Sequence, residues 1–231
     1  MSKVFIAKGH GEGDPGAVAA GYTEHDLVAP IAEAMRDTLN AAGVETTLDN
    51  GVRDVPAQIR EQAALANRLK ADLTVQVHLN SFSDPRAHGS EVWIYAPGGR
   101  RESWAKKLAA ELDTFITSRG VKSGHYTFLG ATAMPAVIVE VGFITNDADR
   151  DIIERRGRLI GHRLALATLD ELGIPRSAAS ARKPETVPGV IYRVQTGGQQ
   201  VGAFGKIENA LAKVKELLRE HKAVRVLKGE S

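Results

Sequence analysis

The sequence predicts an α/β fold with a mixed, largely parallel sheet flanked by helices on both faces, followed by a small C-terminal βαβ-like module. Three observations lead to this prediction. Short apolar and β-branched runs alternate with segments of helical periodicity over residues 1–174, as in sheets covered by helices. Residues 175–189 are rich in Ala, Ser and Pro and lack periodicity, which indicates a linker. A strand–helix–strand pattern follows over residues 190–231.

Each element of the first part follows from periodicity and turn residues. Strands are expected where apolar and β-branched residues are consecutive, and helices where apolar residues recur every three or four positions. Gly43 stands where the first helix should stop, and Pro56 opens the second. The predicted elements are the strand Lys3–Ala7, the helix Glu24–Ala42, the strand Val44–Leu48, the helix Pro56–Lys70, the strand Leu73–Leu79, the strand Glu91–Tyr95, the helix Glu102–Ser118, the strand Ala136–Val141 and the helix Asp147–Leu172.

The C-terminal module is predicted to contain the strand Val190–Thr196, the amphipathic helix Lys206–Glu220 and the strand Ala223–Leu227. A unit of this size is small for an independent hydrophobic core. The module has an excess of basic residues, whereas the chain up to Ile174 is slightly acidic. This charge favours contact with an anionic surface, although a solvated helix face explains it equally well.

Composition narrows the classes of function. A net charge of +2 is far from the basic excess of nucleic-acid-binding proteins. The chain has no cysteine, so His, Asp and Glu are the side chains left to hold a metal. No run of about 18 apolar residues indicates a transmembrane helix, and the N-terminal segment does not resemble a signal peptide. We therefore expect a protein made in the cytoplasm that reaches its site of action by other means.

Three potential metal ligands stand near predicted strand ends, where such sheets collect their sites. His10 follows the first strand in a glycine-rich turn, Glu24 opens the next helix, and His78 ends the strand LTVQVHL. Two imidazoles and a carboxylate suffice for a catalytic zinc site with one open position for water. Each residue also has an ordinary explanation: a turn residue, an acid that complements the helix dipole, and a core histidine.

Glu140 stands in the apolar strand AVIVEV, between Val139 and Val141. Burying a carboxylate without a partner is costly, so this residue is the hardest of the four to explain structurally. Beside a metal, such a carboxylate could take a proton from water and pass it to a leaving nitrogen. The spacing of the four residues is compatible with this arrangement but does not demand it.

The ordered motifs GHGEGDPGA, GYTEHDL, VQVHLNS and MPAVIVEVGFITN resemble those of zinc-dependent N-acetylmuramoyl-L-alanine amidases of the amidase-3 type. The resemblance extends over about 3–172. It implies that one Zn²⁺ is bound by His10, Glu24 and His78, with Glu140 as the catalytic acid/base. It also implies peptidoglycan as the substrate, cleaved at the amide between N-acetylmuramic acid and the L-alanine of the stem peptide.

The segment VIYRVQTGGQQVGAF resembles the start of a SPOR domain, a peptidoglycan-binding module, with TGGQQV as an apparent insertion. A complete SPOR domain has two βαβ halves, and this chain supplies one. We therefore expect two tails to pair in a homodimer; the alternative is a vestigial module without a binding role. The predicted organisation is an amidase domain over 1–174, a linker over 175–189 and a SPOR-like module over 190–231.

Several roles remain open at this point. A phage endolysin, released through a holin or by lysis, fits the compact plan of a cutting domain and a wall binder. A mother-cell or autolytic amidase is the alternative, and a zinc peptidase of the cell wall would use the same chemistry on a different bond. A non-catalytic wall-binding protein is disfavoured, because it would be expected to lack at least one of the four site residues.

Overall fold

A computed structural model of the chain describes residues 1–11, 13–181, 190–196, 199–204 and 224–230. The chain forms two compact units, Met1–Ala181 and Arg182–Ser231. The strands of the first unit are β1 (Lys3–Lys8), β2 (Val18–Ala19), β3 (Tyr22–Thr23), β4 (Glu45–Asp49), β5 (Leu73–Asn80), β6 (Ser90–Ile94), β7 (Ser118–Ser123) and β8 (Ala136–Phe143). Its helices are α1 (Glu24–Ala41), α2 (Pro56–Leu69), α3 (Gly99–Leu112), α4 (Thr127–Ala131), α5 (Asp147–Leu172) and α6 (Ala178–Ala181).

Six strands form one sheet in the order β4-β1-β5-β8-β6-β7. All neighbouring pairs are parallel except β6 and β8, which run antiparallel. Residues of α1, α3 and α5 pack in the larger hydrophobic cluster on one face, and residues of α2 and α4 pack in a smaller cluster on the other. The predicted mixed, largely parallel sheet with helices on both faces is therefore confirmed.

The alternation of side chains along β8 determines which face carries polar groups. Val137, Val139 and Val141 belong to the larger cluster, whereas Ala136 and Ile138 belong to the smaller one. Because successive side chains in a strand point to opposite faces, Glu140 continues the row of Ala136 and Ile138. The small helical layer of α2 and α4 thus covers the face on which the polar residues at the strand ends lie.

The region after α3 differs from the sequence-based prediction. The helix predicted over Glu102–Ser118 ends at Leu112, and β7 begins at Ser118. The apolar spacing continues past the helix end because Ile116 is buried in the larger cluster without being helical. The sequence of β7, SRGVKS, is mostly polar because it forms an edge of the sheet, and both β7 and the five-residue α4 were missed.

The second unit contains an antiparallel sheet in the order β10-β9-β11, formed by β9 (Val190–Thr196), β10 (Gln199–Phe204) and β11 (Val224–Glu230). The segment interpreted as an insertion therefore supplies a strand, and the intervening Gly-Gly is a hairpin signal that could have predicted it. The helix predicted over 206–220 lies outside the described residues. In the segment predicted as a linker, the structure describes the short helix α6.

None of the helices in the described ranges combines the length and apolar character that crossing a membrane requires.

Close packing of α1 against α5 depends on two glycines of α5. A Cβ atom added at Gly161 would overlap the backbone carbonyl of Ile31 in α1, whereas one added at Gly157 would lie 3.3 Å from the Cγ1 atom of the same residue. A side-chain atom can move by a few tenths of an ångström, but a helical carbonyl cannot move without shifting the helix. Gly161 therefore determines how closely the two helices approach.

We expect Gly161→Ala to lower the free energy of unfolding by about 1–3 kcal/mol, because the added methyl group forces the helices apart. Gly157→Ala is the matched control: it should change stability by less than about 1 kcal/mol, since the better helix propensity of alanine offsets a small side-chain adjustment. Chemical denaturation of both variants measures the difference. Equal effects at the two positions would contradict this account of the interface.

Candidate metal centre

The glycine-rich turn after β1 brings His10 next to the end of β5. His10 has a φ of 59°, in the left-handed region that non-glycine residues rarely adopt. Two neighbouring glycines make room for the site. A Cβ atom at Gly9 would lie 2.5 Å from His78 Nδ1, and one at Gly16 would lie 2.8 Å from Glu24 Oε2. The glycines of this motif therefore allow the backbone to pack directly against the side chains of His78 and Glu24.

The start of α1 fixes the carboxylate of Glu24. Thr23 is the N-cap residue, and its side chain accepts a 3.2 Å hydrogen bond from the Asp26 N–H, so that Glu24 is the first helical residue. Its carboxylate is buried. Oε1 accepts a 2.9 Å hydrogen bond from the Leu79 N–H, and Oε2 accepts a 3.1 Å bond from the Ala17 N–H. Both oxygens are thus held in place by backbone groups.

The two predicted histidines meet this carboxylate. His10 Nε2 lies 3.2 Å from Glu24 Oε2, and His78 Nδ1 lies 2.9 Å from Glu24 Oε1. One ligand atom from each of the three residues lies within 4.8 Å of the others, so the cluster could hold a metal ion. Tetrahedral zinc with ligand bonds of 2.0–2.1 Å separates its ligand atoms by about 3.3 Å. The observed spacing therefore fits a small dication.

The three groups stabilise one another's charged forms. Burial would raise the pKa of Glu24, but hydrogen bonds with His10 and His78 hold it below its ordinary value. The hydrogen bond with Glu24 raises the pKa of His10 to about 9. Burial opposes protonation of His78, yet the contact with Glu24 raises its pKa as well. The cluster therefore attracts positive charge, and a dication would displace the imidazole protons.

Asp14 orients the His10 ring from the other side. Its Oδ2 lies 3.1 Å from His10 Nδ1 and accepts a 2.9 Å bond from the Asp54 N–H, while Oδ1 accepts a 3.0 Å bond from the Gly16 N–H. These backbone hydrogen bonds lower the pKa of Asp14 to about 2. An ionised carboxylate at Nδ1 selects the tautomer that leaves Nε2 available to a metal. This contact of Asp14 was not predicted from the sequence, although its position four residues after His10 was a usable signal.

Glu140 lies beside His78 across the β5–β8 pair. Its Oε2 is buried and has no hydrogen-bond partner among the residues that the structure describes. Desolvation raises the pKa of Glu140 to about 7; His78 opposes this shift, and the negative charges of Glu24 and Glu91 add to it. The structure thus brings all four predicted site residues together. Among them, the pKa of Glu140 is raised, whereas that of Glu24 is lowered.

A second buried acid, Glu91, lies directly opposite Glu140 in the antiparallel β6–β8 pair. Its Oε1 accepts a 2.5 Å hydrogen bond from Arg119 Nε, and its Oε2 accepts a 3.1 Å bond from Trp93 Nε1. Its charge is therefore compensated, unlike that of Glu140. Glu91 was not predicted from the sequence, although it is, like Glu140, an acid within a short apolar segment, SEVWI.

A cleft of about 390 Å³ opens onto this cluster. One wall includes the start of α2, and the other includes Tyr126, whose ring packs edge-on against Trp93 at a centroid distance of 5.2 Å. Burial, together with Glu140 and Glu91, raises the pKa of the Tyr126 phenol. The residues that line the cleft are His10, Glu24, Asp54, Pro56, Ile59, Gln76, His78, Leu79, Asn80, Ser81, Tyr126, Thr127, Phe128, Ile138 and Glu140.

Two relatives show what kind of protein the chain resembles in sequence. LytC, an N-acetylmuramoyl-L-alanine amidase of Bacillus subtilis, is 34% identical over 152 residues, which are 63% of this chain and 30% of LytC. The endolysin of Bacillus phage SPP1 is 31% identical over 204 residues, 81% of this chain and 73% of the endolysin. The chain thus spans less than a third of the length of LytC and about three quarters of that of the endolysin.

Structural similarity leads to the same group. The N-acetylmuramoyl-L-alanine amidase AmiC2 of Nostoc punctiforme superposes with a TM-score of 0.67 at 26% identity, over 74% of this chain and 97% of AmiC2. The sequence profile of a family described as N-acetylmuramoyl-L-alanine amidase matches residues 4–165, a range that includes all four predicted site residues. The chain therefore belongs to the N-acetylmuramoyl-L-alanine amidase family.

Proposed function

We propose that the chain hydrolyses the amide between N-acetylmuramic acid and L-alanine in peptidoglycan, with one zinc ion held by His10, Glu24 and His78. The observation that carries this proposal is the His–Glu–His cluster beside the desolvated carboxylate of Glu140, in one cleft of an amidase-family fold. Zinc suits two imidazoles and a carboxylate and leaves a coordination position open. Oxygen-only cations such as Mg²⁺ do not match this donor set.

In the proposed reaction, the zinc ion and Glu140 have separate roles. When bound, zinc would supply a Lewis acid that polarises the scissile carbonyl and makes water more acidic. Glu140 accepts the proton of the attacking water, since its pKa near neutrality makes it an effective base. The same carboxyl then donates that proton to the departing nitrogen of L-alanine. Its Oε2, which has no partner in the described part of the chain, is available for this transfer.

In the cell, we place the protein at the peptidoglycan of the wall, as a phage endolysin. The similarity to the endolysin of phage SPP1, which extends over 73% of that protein, supports this choice. A mother-cell or autolytic amidase would have the same chemistry and the same fold. Both roles bring the cleft into contact with the same polymer, so the reaction can be tested independently of the cellular role.

Hydrolysis of purified cell walls tests the reaction. We expect new N-terminal alanine without new reducing sugars, complete loss of release after chelation, and recovery on addition of zinc, because the cluster holds the ion that activates water. Turbidity, amino-end labelling and a reducing-sugar assay on the same sample measure the three quantities. Other new N-terminal residues would indicate a zinc peptidase, new reducing sugars would indicate a glycosidase, and the absence of any release would favour a wall-binding protein.

Replacing Glu140 with Gln should lower the rate of amide hydrolysis by about 10²–10⁴-fold, because the amide cannot accept the proton of water. Zinc content should stay at that of the wild type, since Glu140 is not among the proposed ligands. Glu140→Asp is the matched control: it keeps a carboxylate one methylene away and should retain more activity than the Gln variant. Metal analysis and the amino-end assay on all three proteins check this, and near wild-type activity of Glu140→Gln would refute the assigned role.

For the C-terminal part, we propose a SPOR-like wall-binding module over residues 190–231 that pairs with a second copy, giving a homodimer. The small size of the unit supports this proposal, because the three strands described for it form a sheet with little core of its own. Pairing of two such sheets would let each bury its apolar face. The linker over 175–189 would connect this module to the amidase domain.

Light scattering of the intact chain and of a truncation at Pro175 tests the pairing. We expect a dimer for the intact chain and a monomer for the truncated chain, since the proposed contacts are confined to the module. Binding to purified cell walls should weaken on truncation, because one wall-contacting surface is lost. Monomers in both cases would refute the homodimer.

A further inference from the structure

Gln76 is a polar residue on the floor of the cleft that the proposed reaction does not use. It lies in β5, two residues before His78, so that its side chain is on the same face of the sheet and about 6–7 Å away along the strand. Only 5% of the residue is exposed. A polar side chain buried this far requires hydrogen-bond partners, and the partners of Gln76 determine what it presents to the cleft.

A chain of buried hydrogen bonds leads from β4 to Gln76. Asp49 Oδ1 accepts a 2.7 Å hydrogen bond from Gln62 Nε2 and a 2.8 Å bond from the Gly51 N–H. Gln62 is a residue of α2 that is 2% exposed, and its Oε1 accepts a 3.0 Å hydrogen bond from Gln76 Nε2. The three side chains of Asp49, Gln62 and Gln76 are hereafter called the amide relay.

Hydrogen-bond chemistry fixes the polarity of the amide relay. An ionised carboxylate accepts hydrogen bonds but cannot donate them, so Gln62 must direct its NH₂ group towards Asp49. Gln62 is then left with its oxygen towards Gln76, which must in turn direct its own NH₂ group towards Gln62. The usual ambiguity between the oxygen and nitrogen of a glutamine amide is thereby removed. Gln76 lines the cleft and uses its Nε2 for Gln62, so its oxygen Oε1 is the group left to act as an acceptor there.

We propose that Gln76 is a specificity-determining residue whose Oε1 accepts the N–H of a secondary amide of the substrate. This inference rests on the proposed function, because that function supplies such amides on both sides of the scissile bond. One is the N-acetyl amide of the muramic acid, and the other joins L-alanine to the next residue of the stem peptide. Each carries a nearby methyl group, which the apolar side chains of Ile59 and Ile138 in the cleft would accommodate.

This hydrogen bond would let the cleft discriminate between substrates that carry an amide at this position and analogues that do not. A buried acceptor loses water when the substrate enters, so a substrate that brings no donor leaves Gln76 Oε1 unpaired. Sites built around a buried polar group reject analogues that lack the matching hydrogen-bonding group far more strongly than apolar pockets reject a missing methylene. Gln76 would therefore select for an amide over an ester at one position of the substrate, without taking part in the chemical step.

Three soluble muramoyl-peptides test the inference on the zinc-loaded full chain. The first has both amides, the second has an ester in place of the amide after L-alanine, and the third has an O-acetyl in place of the N-acetyl group. We expect the wild type to lose about tenfold or more in kcat/KM on one of the two esters, which identifies the amide that is bound. Gln76→Met, of similar size and without an acceptor, should cleave the amide substrate with a higher KM and prefer it over that ester by less than about twofold.

A second variant separates the hydrogen bond from any effect on folding. Asp49 is not among the residues that line the cleft. Asp49→Asn keeps the shape of the side chain and can donate to Gln62, so that the amide relay can adopt either polarity. It should reduce the preference for the amide by more than half while the melting temperature stays within about 3 °C of the wild type. If Gln76→Met does not fold, the substrate preference of Asp49→Asn tests the role of Gln76 by itself.

The outcomes distinguish this inference from the proposed function. Wild type that cleaves all three substrates equally, or Gln76→Met and Asp49→Asn variants that keep the wild-type preference, would overturn the role of Gln76 and leave the amidase reaction intact. Wild type that cleaves none of the substrates and releases no alanine from cell walls would overturn the proposed function, and the role of Gln76 with it.

Discussion

The contact of one buried carboxylate with two histidines ties together the parts of the chain on which the site depends. Glu24 begins α1, His10 follows β1, and His78 lies near the end of β5, so that their meeting fixes three element ends at one point. Backbone N–H groups of Ala17 and Leu79 hold the same carboxylate. Removing the charge of Glu24 would therefore loosen the glycine-rich turn, the helix start and the strand end together.

Around this point, two acids have opposite environments. Glu24 is surrounded by donors that hold its pKa below the ordinary value, whereas desolvation raises the pKa of Glu140 to about 7. Pairs of carboxyl groups whose environments separate their pKa values are a frequent sign of divided roles, one remaining ionised and the other exchanging protons. Glu91 shows that the difference is not due to burial alone, because this buried acid has Arg119 and Trp93 as partners.

The regular parts of the fold, and the four residues that the structure brings together at the cleft, could be singled out because their signals are local. Glu140 was recognisable as an acid in an apolar strand, and the order of the motifs resembled a known family. What could not be predicted depends on pairing between distant segments. The edge strand β7 has too few apolar residues to show a strand pattern, and the role of Asp14 depends on the ring orientation of His10. The amide relay joins Asp49, Gln62 and Gln76 from three elements, which no spacing in the sequence reveals.

The distribution of unused hydrogen-bonding capacity gives the cleft its chemical character. On the face covered by α2 and α4, Glu91 has partners on both carboxylate oxygens, and Gln62 is bonded at both ends of its amide. At the cleft, Glu140 Oε2 has no partner among the described residues, and the amide relay uses only the Nε2 end of Gln76. Since buried polar groups are normally satisfied within a fold, acceptors left open at the same cavity are best explained by a ligand that completes them. Gln76 Oε1 accepts hydrogen bonds, and the Glu140 carboxyl, with a pKa of about 7, can accept or donate one, so a water molecule or an amide N–H that enters the cleft can complete both.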